Sequence, residues 1–485
     1  MNNSVKFVLD DKIIELDFSR DLKYKPTTTV LNYLRDLSDH KGVKEGCAEG
    51  DCGACTVALG ELDGNKISYK AVDSCLVFLP MIHGKQIITV ENLKNKGELH
   101  PVQSAMVECF GSQCGYCTPG FIMSLFALYK NHNNPSKGIV EDALSGNLCR
   151  CTGYQFILYS ALMACQNDGA DHFSEKETQI VKLLKEINKD KKTISLITNN
   201  QCYFKPFNLD DALLLRKNYP DAILINGASD IALRQTKNNE LLKDIIDLSA
   251  IDELKRFEEN DDGYYFGSGL SLEALKNYSE KKLKPLYDIL KVFGSLQIRN
   301  LATIGGNIGS ASPIGDTLPV LIAYGAKVIL QSAESRRDVS IEEYIKGYRK
   351  TDLRKDEIIT SVFIPKLNEK SKIKTYKVSK RKDLDISTVS SAFRVSVENE
   401  IVKDICMAYG GMAEITKRAK TAETYLLKKK WSRTNIEVAM ELIYNEFEPL
   451  SDARAESEFR RVAAKNLLMK FFNDLQINNG ILKLV

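Results

Sequence analysis

Gly46-Cys47-Ala48-Glu49-Gly50-Asp51-Cys52-Gly53-Ala54-Cys55 decides how the rest of this chain is read. Its three cysteines are spaced C-x4-C-x2-C, and Cys75 follows as a distant fourth. Gly42, Gly46, Gly50 and Gly53 thread among them, as a loop requires when thiolates point inward and backbone N–H groups approach what the sulfurs hold. A second set stands further on, Cys114-Gly115-Tyr116-Cys117 with Cys149-Arg150-Cys151. Apolar runs of helical length, residues 121–129 and 156–165, follow the two halves. Both pairs therefore belong near helix N-termini, where partial positive charge favours an anionic group.

The first spacing is that of a plant-type [2Fe-2S] ligand loop. Disulfides and structural zinc are the alternatives for eight cysteines. Disulfides suit an oxidising compartment, whereas residues 1–16 carry no long apolar run of the kind a secretory signal needs. Zinc is served by the C-x2-C half-site of the second set and poorly by C-x4-C-x2-C. Two clusters in one chain imply electrons passing between them.

A chain of 485 residues makes roughly two to four domains, because single cores stop growing well below this length. Lys plus Arg number 67 against 64 Asp plus Glu, a formal charge of +3 that points to neither nucleic acid nor an acidic partner. No apolar run reaches membrane-spanning length, so the expectation is a soluble, cytoplasmic protein without a membrane partner.

In order, residues 5–9 and 12–16 read as a hairpin turning at Asp10-Asp11, and Thr27 to Thr29 offer caps for a helix bearing Val30, Leu31, Leu34 and Leu37. Strands are expected at 56–59, 66–72 and 86–90, completing a β-grasp unit over residues 1–90. Residues 91–166 turn helical, with helices at 102–110, after Cys117 and Cys151, and at 139–144 before Gly146; the run 121–128, apolar nearly all round, is core. Residues 167–192 read as a polar linker with one amphipathic helix, capped by Ser174 and Glu177. The remainder alternates strands and helices, with a domain at 193–370 and a C-terminal subdomain at 371–485. The fold class is multidomain α+β.

Two segments there suit a dinucleotide-sized ligand. A short strand at 222–225 runs into Asn226-Gly227-Ala228-Ser229-Asp230, a small-residue turn before a helix at 231–233 whose N–H groups suit a pyrophosphate, although G-x-G-x-x-G is missing. Residues 297–316 hold four glycines and little bulk; as a loop this long they are better explained by binding, with Thr303, Ser310 and Asp316 as polar contacts. The basic run 376–386 reads by charge as solvated surface, and Arg454, Arg460 and Arg461 as solvent-facing. Cys109, Cys165, Cys202 and Cys406 read as buried small residues.

The cysteine segments, the run Ala302-Thr303-Ile304-Gly305-Gly306-Asn307-Ile308-Gly309-Ser310-Ala311-Ser312-Pro313-Ile314-Gly315-Asp316 and the run 379–386 together resemble the xanthine dehydrogenase family of molybdenum hydroxylases. The resemblance covers the whole chain, which looks like the small iron-sulfur/FAD subunit of a bacterial split enzyme. It implies two [2Fe-2S] clusters: Cys47, Cys52, Cys55 and Cys75 on the one nearer the flavin, and Cys114, Cys117, Cys149 and Cys151 on the one nearer molybdenum. Gln113 matches a glutamine that contacts the molybdopterin at the subunit interface. For FAD it implicates Leu224, Ile225, Asn226, Gly227, Ala228, Ser229, Asp230 and Ile231, then Phe293, Thr303, Gly306, Asn307, Ser310, Asp316, Ile359 and Lys377. The implied activity is a purine dehydrogenase relay. Electrons from a molybdenum centre on a larger partner pass through the clusters to FAD and then NAD+ as hypoxanthine and xanthine become urate, within an (αβ)2 assembly. No residue of this chain is implied in the hydroxylation itself. The alternatives are the equivalent subunit of another molybdenum hydroxylase, acting on an aldehyde or N-heterocycle, and a stand-alone electron-transfer flavoprotein.

Overall fold

The computed structural model describes residues 3–20, 23–166 and 171–478. The chain divides into two compact units, one made of Met1–Asp252 with Gly294–Ala302, the other of Glu253–Phe293 with Thr303–Val485.

In the first unit, Ser4–Leu9 and Lys12–Asp17 pair antiparallel around Asp10 and Asp11, both at positive φ (52° and 58°), the left-handed turn that short hairpins favour. Gln86–Ile88 joins Ser4–Leu9 in parallel, and Thr56–Asp63 and Lys66–Asp73 complete a five-stranded sheet. The helix Val30–Asp36 is capped by Thr29, which accepts from the Asn32 amide, and it buries Val30, Leu31 and Leu34. Helices then follow. Thr118–Asn131 is buried along Gly120 to Tyr129, as its all-round apolar sequence requires. Pro101–Glu108, Lys137–Leu144 and Gln155–Ala164 surround it in one core.

The segment read as a linker contains the helix His172–Ile187, which buries Phe173, Ile180, Val181, Leu184 and Ile187 in that same core. Its cap is Asp171 rather than Ser174: the Asp171 carboxylate accepts from the Ser174 amide at 2.8 Å. Asp171 wins because it is also anchored by Lys130 at 2.9 Å and the His100 ring at 3.0 Å. Glu177 instead accepts from the Ile67 amide at 3.0 Å.

A four-stranded sheet closes the unit, ordered Ile194–Ile197, Cys202–Lys205, Asp244–Asp247, Ile223–Ile225, the last three parallel.

The second unit has an antiparallel five-stranded sheet ordered Phe257–Glu259, Gly263–Gly267, Ile358–Pro365, Lys327–Gln331, Arg336–Ser340. A second antiparallel sheet, Ser371–Val378, Val389–Glu398, Ile401–Gly410 and Lys417–Arg418, shares a core with the helices Arg433–Glu446 and Ser457–Asn478. Arg460 does not face solvent. It is 4% exposed and donates to the carbonyls of Thr388 and Gly411 and to Asp452. The cation replaces partners that those buried carbonyls would otherwise lack. Arg461 lies over the Tyr444 ring, and Arg454 pairs with Asp452.

Candidate functional site

All twelve cysteines are free thiols. Cys165 and Cys406 are buried as expected, while Cys109 and Cys202 are half-buried. The eight cysteines of the two quartets all lie in the first unit. Within each quartet the thiols stand in pairs, Cys47 with Cys52, Cys55 with Cys75, Cys117 with Cys149 and Cys114 with Cys151. Among the described residues no three His, Cys, Asp or Glu side chains gather as a site for a single metal ion. Two thiols per iron is the arrangement that a two-iron cluster asks of four cysteines.

The local chemistry fits the same group. The amides of Glu49, Asp51 and Cys52 point at the Cys47 sulfur at 3.3–3.4 Å. The Cys52 thiol, donating to the same sulfur, does most to pull the Cys47 thiol down to about 5 against the opposing effect of burial, and the three amides add to it. A sulfur held as thiolate by backbone donors suits a metal ligand. In the second quartet burial alone would raise Cys149, but the Thr152 hydroxyl, 3.2 Å from its sulfur, helps to bring it below the usual thiol value. Cys117 caps the helix Thr118–Asn131, whereas Cys151 stands four residues ahead of Gln155–Ala164.

The quartets differ in exposure. Cys55 and Cys75 are buried; Cys114 and Cys151 are exposed, and Gln113 is exposed beside Cys114. The two ligand loops touch directly. The Leu148 amide donates to the Cys52 carbonyl at 3.0 Å, Asn147 donates to the Gly53 carbonyl at 3.0 Å, and the Tyr116 hydroxyl donates to the Glu45 carbonyl.

The turn after Ile223–Ile225 belongs to the same unit. Gly227 has φ +96°, and a Cβ there would stand 1.8 Å from the Leu301 carbonyl oxygen, so only glycine fits. The helix that follows, Ala232–Thr236, begins one residue later than expected. Beyond it the Lys237 ammonium donates to the Cys47 carbonyl at 3.0 Å and pairs with Glu49 at 3.3 Å, which ties the end of this segment to the first thiol loop.

Residues 297–316, expected from their composition to be a long binding loop, are not loop throughout. Ser295 and Thr303 cap two short helices, Leu296–Leu301 and Ile304–Gly309, by accepting from the amides of Ile298 and Gly306. The glycines that suggested an open loop instead let the second helix lie flat: Ile304, Gly305 and Ile308 are buried, a Cβ at Gly305 would strike Ser268, and Gly306, Asn307, Gly309 and Ser310 keep an accessible face. Gly306, Asn307 and Ser310, three of the residues implicated in FAD binding, share that face, in the second unit with Thr303, Asp316, Phe293, Ile359 and Lys377.

Asp316 is 4% exposed, accepts from the Ser387 hydroxyl at 2.6 Å and pairs with Lys377 at 3.1 Å. Lys377 also donates to the Val292 carbonyl at 2.7 Å. The basic run is thus not uniformly surface. Tyr376 and Lys377 lie on the strand Ser371–Val378 and turn inward, while Arg381 and Lys382 are exposed. Charge counting missed this because partners distant in sequence, Asp474 for Tyr376 and Asp316 for Lys377, cover both faces of the strand.

Known protein families match this chain in three stretches. Residues 89–162 match the [2Fe-2S] binding domain, 196–367 the FAD binding domain in molybdopterin dehydrogenase, and 374–475 the CO dehydrogenase flavoprotein C-terminal domain. Xanthine dehydrogenase of Oryza sativa subsp. japonica is 32% identical over 97% of this chain and 39% of its own length, and xanthine dehydrogenase/oxidase of Gallus gallus is 30% identical over 96% and 40%. The chain therefore spans about two fifths of the length of these relatives. Among solved structures, a carbon monoxide dehydrogenase chain from Hydrogenophaga pseudoflava superposes with a TM-score of 0.53 at 23% identity over 56% of this chain and 96% of its own. Quinoline 2-oxidoreductase from Pseudomonas putida 86 gives 0.52 at 22% over 57% and 97%. These two show the fold. With three family domains in series and relatives aligned along nearly its whole length, the chain belongs to the molybdenum hydroxylases and carries their iron-sulfur and FAD-binding domains.

Proposed function

We propose that this chain is the electron-transfer subunit of a xanthine dehydrogenase: two [2Fe-2S] clusters and FAD pass electrons from a molybdenum centre on a larger chain to NAD+. The observation that carries the reading is the joining of both thiol quartets and the 226–230 turn within one unit, through Leu148 to Cys52 and Lys237 to Cys47.

Cys47, Cys52, Cys55 and Cys75 hold the cluster nearer the flavin, and Cys114, Cys117, Cys149 and Cys151 the outer one. Bound clusters and flavin supply one-electron and hydride chemistry respectively. The chain's own residues do the rest. Backbone amides and the Cys52 thiol donate to the Cys47 sulfur, and the family resemblance implicates in FAD binding the 226–230 turn of the first unit and, in the second, Thr303, Gly306, Asn307, Ser310 and Asp316. Lys377 pairs with Asp316 in its buried position.

The partner surface is the outer quartet's. Phe110, Tyr116, Phe156 and Tyr159 are 79%, 51%, 49% and 49% exposed; Phe110 and Tyr116 flank exposed Gln113 and Cys114 in sequence, and Phe156 and Tyr159 meet edge to face on Gln155–Ala164. An aromatic patch of this kind marks a contact site. We assign it to a molybdopterin-binding chain. Purines are favoured as substrates because the full-length relatives are named for xanthine.

Cys114→Ser in the complex tests the order of the relay. NADH-to-dye transfer through FAD persists while xanthine-to-NAD+ turnover is abolished; survival of both activities refutes it.

A further inference from the structure

Three glycines bring the cysteine-bearing segments into backbone contact. A Cβ at Gly53 would lie 2.3 Å from the Gly146 carbonyl oxygen, and one at Gly120 would lie 2.2 Å from that of Gly53. A Cβ at Gly146 would lie 2.2 Å from the side-chain oxygen of Gln297. Gly53 stands between Cys52 and Cys55, Gly120 follows Cys117, and Gly146 precedes Cys149.

Gln297, on the helix Leu296–Leu301, is fully buried at their junction. Its amide nitrogen donates to the Ser124 hydroxyl at 2.8 Å, the Asn147 side-chain oxygen at 3.1 Å and the Ala143 carbonyl at 3.2 Å. Ser124 in turn donates to Asn147 at 2.6 Å. Asn147, 2% exposed, donates to the Gly53 carbonyl at 3.0 Å and the Thr56 hydroxyl at 3.2 Å. One side chain thereby fixes Asn147, which fixes the inner loop, while its own backbone continues into the outer quartet.

The same helix makes further anchoring contacts. Arg299, fully buried, forms a two-pronged pair with Asp142 at 2.7 and 2.9 Å, and Asn300 donates to the Ala71 carbonyl at 2.9 Å. Ile298 fills the space beside Gly50. Gln297 is therefore held on a support that cannot shift without breaking the Arg299–Asp142 ion pair.

Apolar side chains would fill this space, since Phe121, Leu125, Ala143 and Leu144 form the surrounding core. A buried hydrogen-bond network contributes instead a fixed geometry, because each bond has a preferred length and direction that dispersion contacts lack, while the Gln297 side-chain oxygen accepts no bond among the described residues and faces Gly146. We propose that Gln297 is a positioning residue that sets the separation of the two thiol quartets through Asn147. Gln297 touches neither cysteines nor substrate. The inference rests on the two-cluster reading and adds to it the residue that holds the clusters in register.

The test uses the full chain with its cofactors and the variants Gln297→Leu and Ser124→Ala, the second a small deletion that keeps the core filled. Iron and sulfide are counted, and the fully reduced protein is examined by low-temperature EPR, where the magnetic splitting between two paramagnetic centres depends steeply on their separation. Expected are full iron content, a changed splitting in both variants, and flavin bleaching by xanthine in the complex slowed by roughly tenfold, as for other residues supporting metal ligands. Full iron content with unchanged splitting in both variants overturns the proposal. So does loss of iron from both, which would make the network an assembly device rather than a spacer. If the unsubstituted protein shows fewer than two iron signals, the two-cluster reading itself fails, independently of either variant.

Discussion

Gly227→Ala is the sharpest single perturbation of the proposed flavin turn. Its φ of +96° lies where a side chain is rarely accepted, a strain of about 1–3 kcal/mol. The added Cβ also meets the Leu301 carbonyl oxygen at 1.8 Å and its carbon at 2.8 Å, both backbone atoms. Leu301 cannot yield cheaply, because Gln297 and Arg299 of the same helix are fixed by buried hydrogen bonds. Relief has to come from the turn, which must move by more than an ångström.

We expect the upper end of the strain range, about 3 kcal/mol, which as binding free energy is roughly a hundredfold weaker affinity for FAD. If the turn instead keeps its place, the strain stays in the fold and lowers the melting temperature by about 6–12 °C in a domain of this size. Flavin content after purification, FAD titration by fluorescence and a melting curve of flavin-stripped protein measure the two effects separately. Full flavin occupancy with an unshifted melting temperature would refute the reasoning.

Lys377→Met leaves Asp316 buried without its cation, and should destabilise the second unit by about 3 kcal/mol with loss of flavin, both restored in part by Lys377→Arg; the urea midpoint and flavin absorbance report it. Arg460→Met strands two buried carbonyls and should cost about 3 kcal/mol by chemical denaturation, with iron content unchanged. At Asp171, burial opposes ionisation, yet hydrogen bonds from His100, Lys130 and the Ser174 amide hold the carboxyl far below the usual range. A depressed folded value stabilises fully above the unfolded pKa of about 3.9 and ceases to do so as pH falls through the folded one. Asp171→Asn should therefore melt lower than the parent at neutral pH, with the gap narrowing in acid; a gap that is constant with pH contradicts this.

Sequence-local features were legible before the fold. The hairpin at Asp10-Asp11, the cap at Thr29 and the core helix Thr118–Asn131 follow from turn chemistry and periodicity acting over a few residues. The thiol spacing named the chemistry, because ligand loops are short and their steric demands are written into adjacent glycines. The cap at Asp171 was not legible. Its preference over Ser174 comes from His100 and Lys130, which are 71 and 41 residues away. Arg460 looked solvent-facing for the same kind of reason, since the carbonyls it serves lie 72 and 49 residues distant.

What the sequence determined by itself is that eight thiols stand in two sets of four and where the small-residue turns lie, since both depend on spacing along the backbone. Which thiol faces which, how the two loops meet at Gly53, Gly120 and Gly146, and why Gln297 is buried among them were decided only by tertiary structure. Those contacts join positions up to 173 residues apart. Their energy lies in hydrogen bonds and close approach that no local pattern encodes.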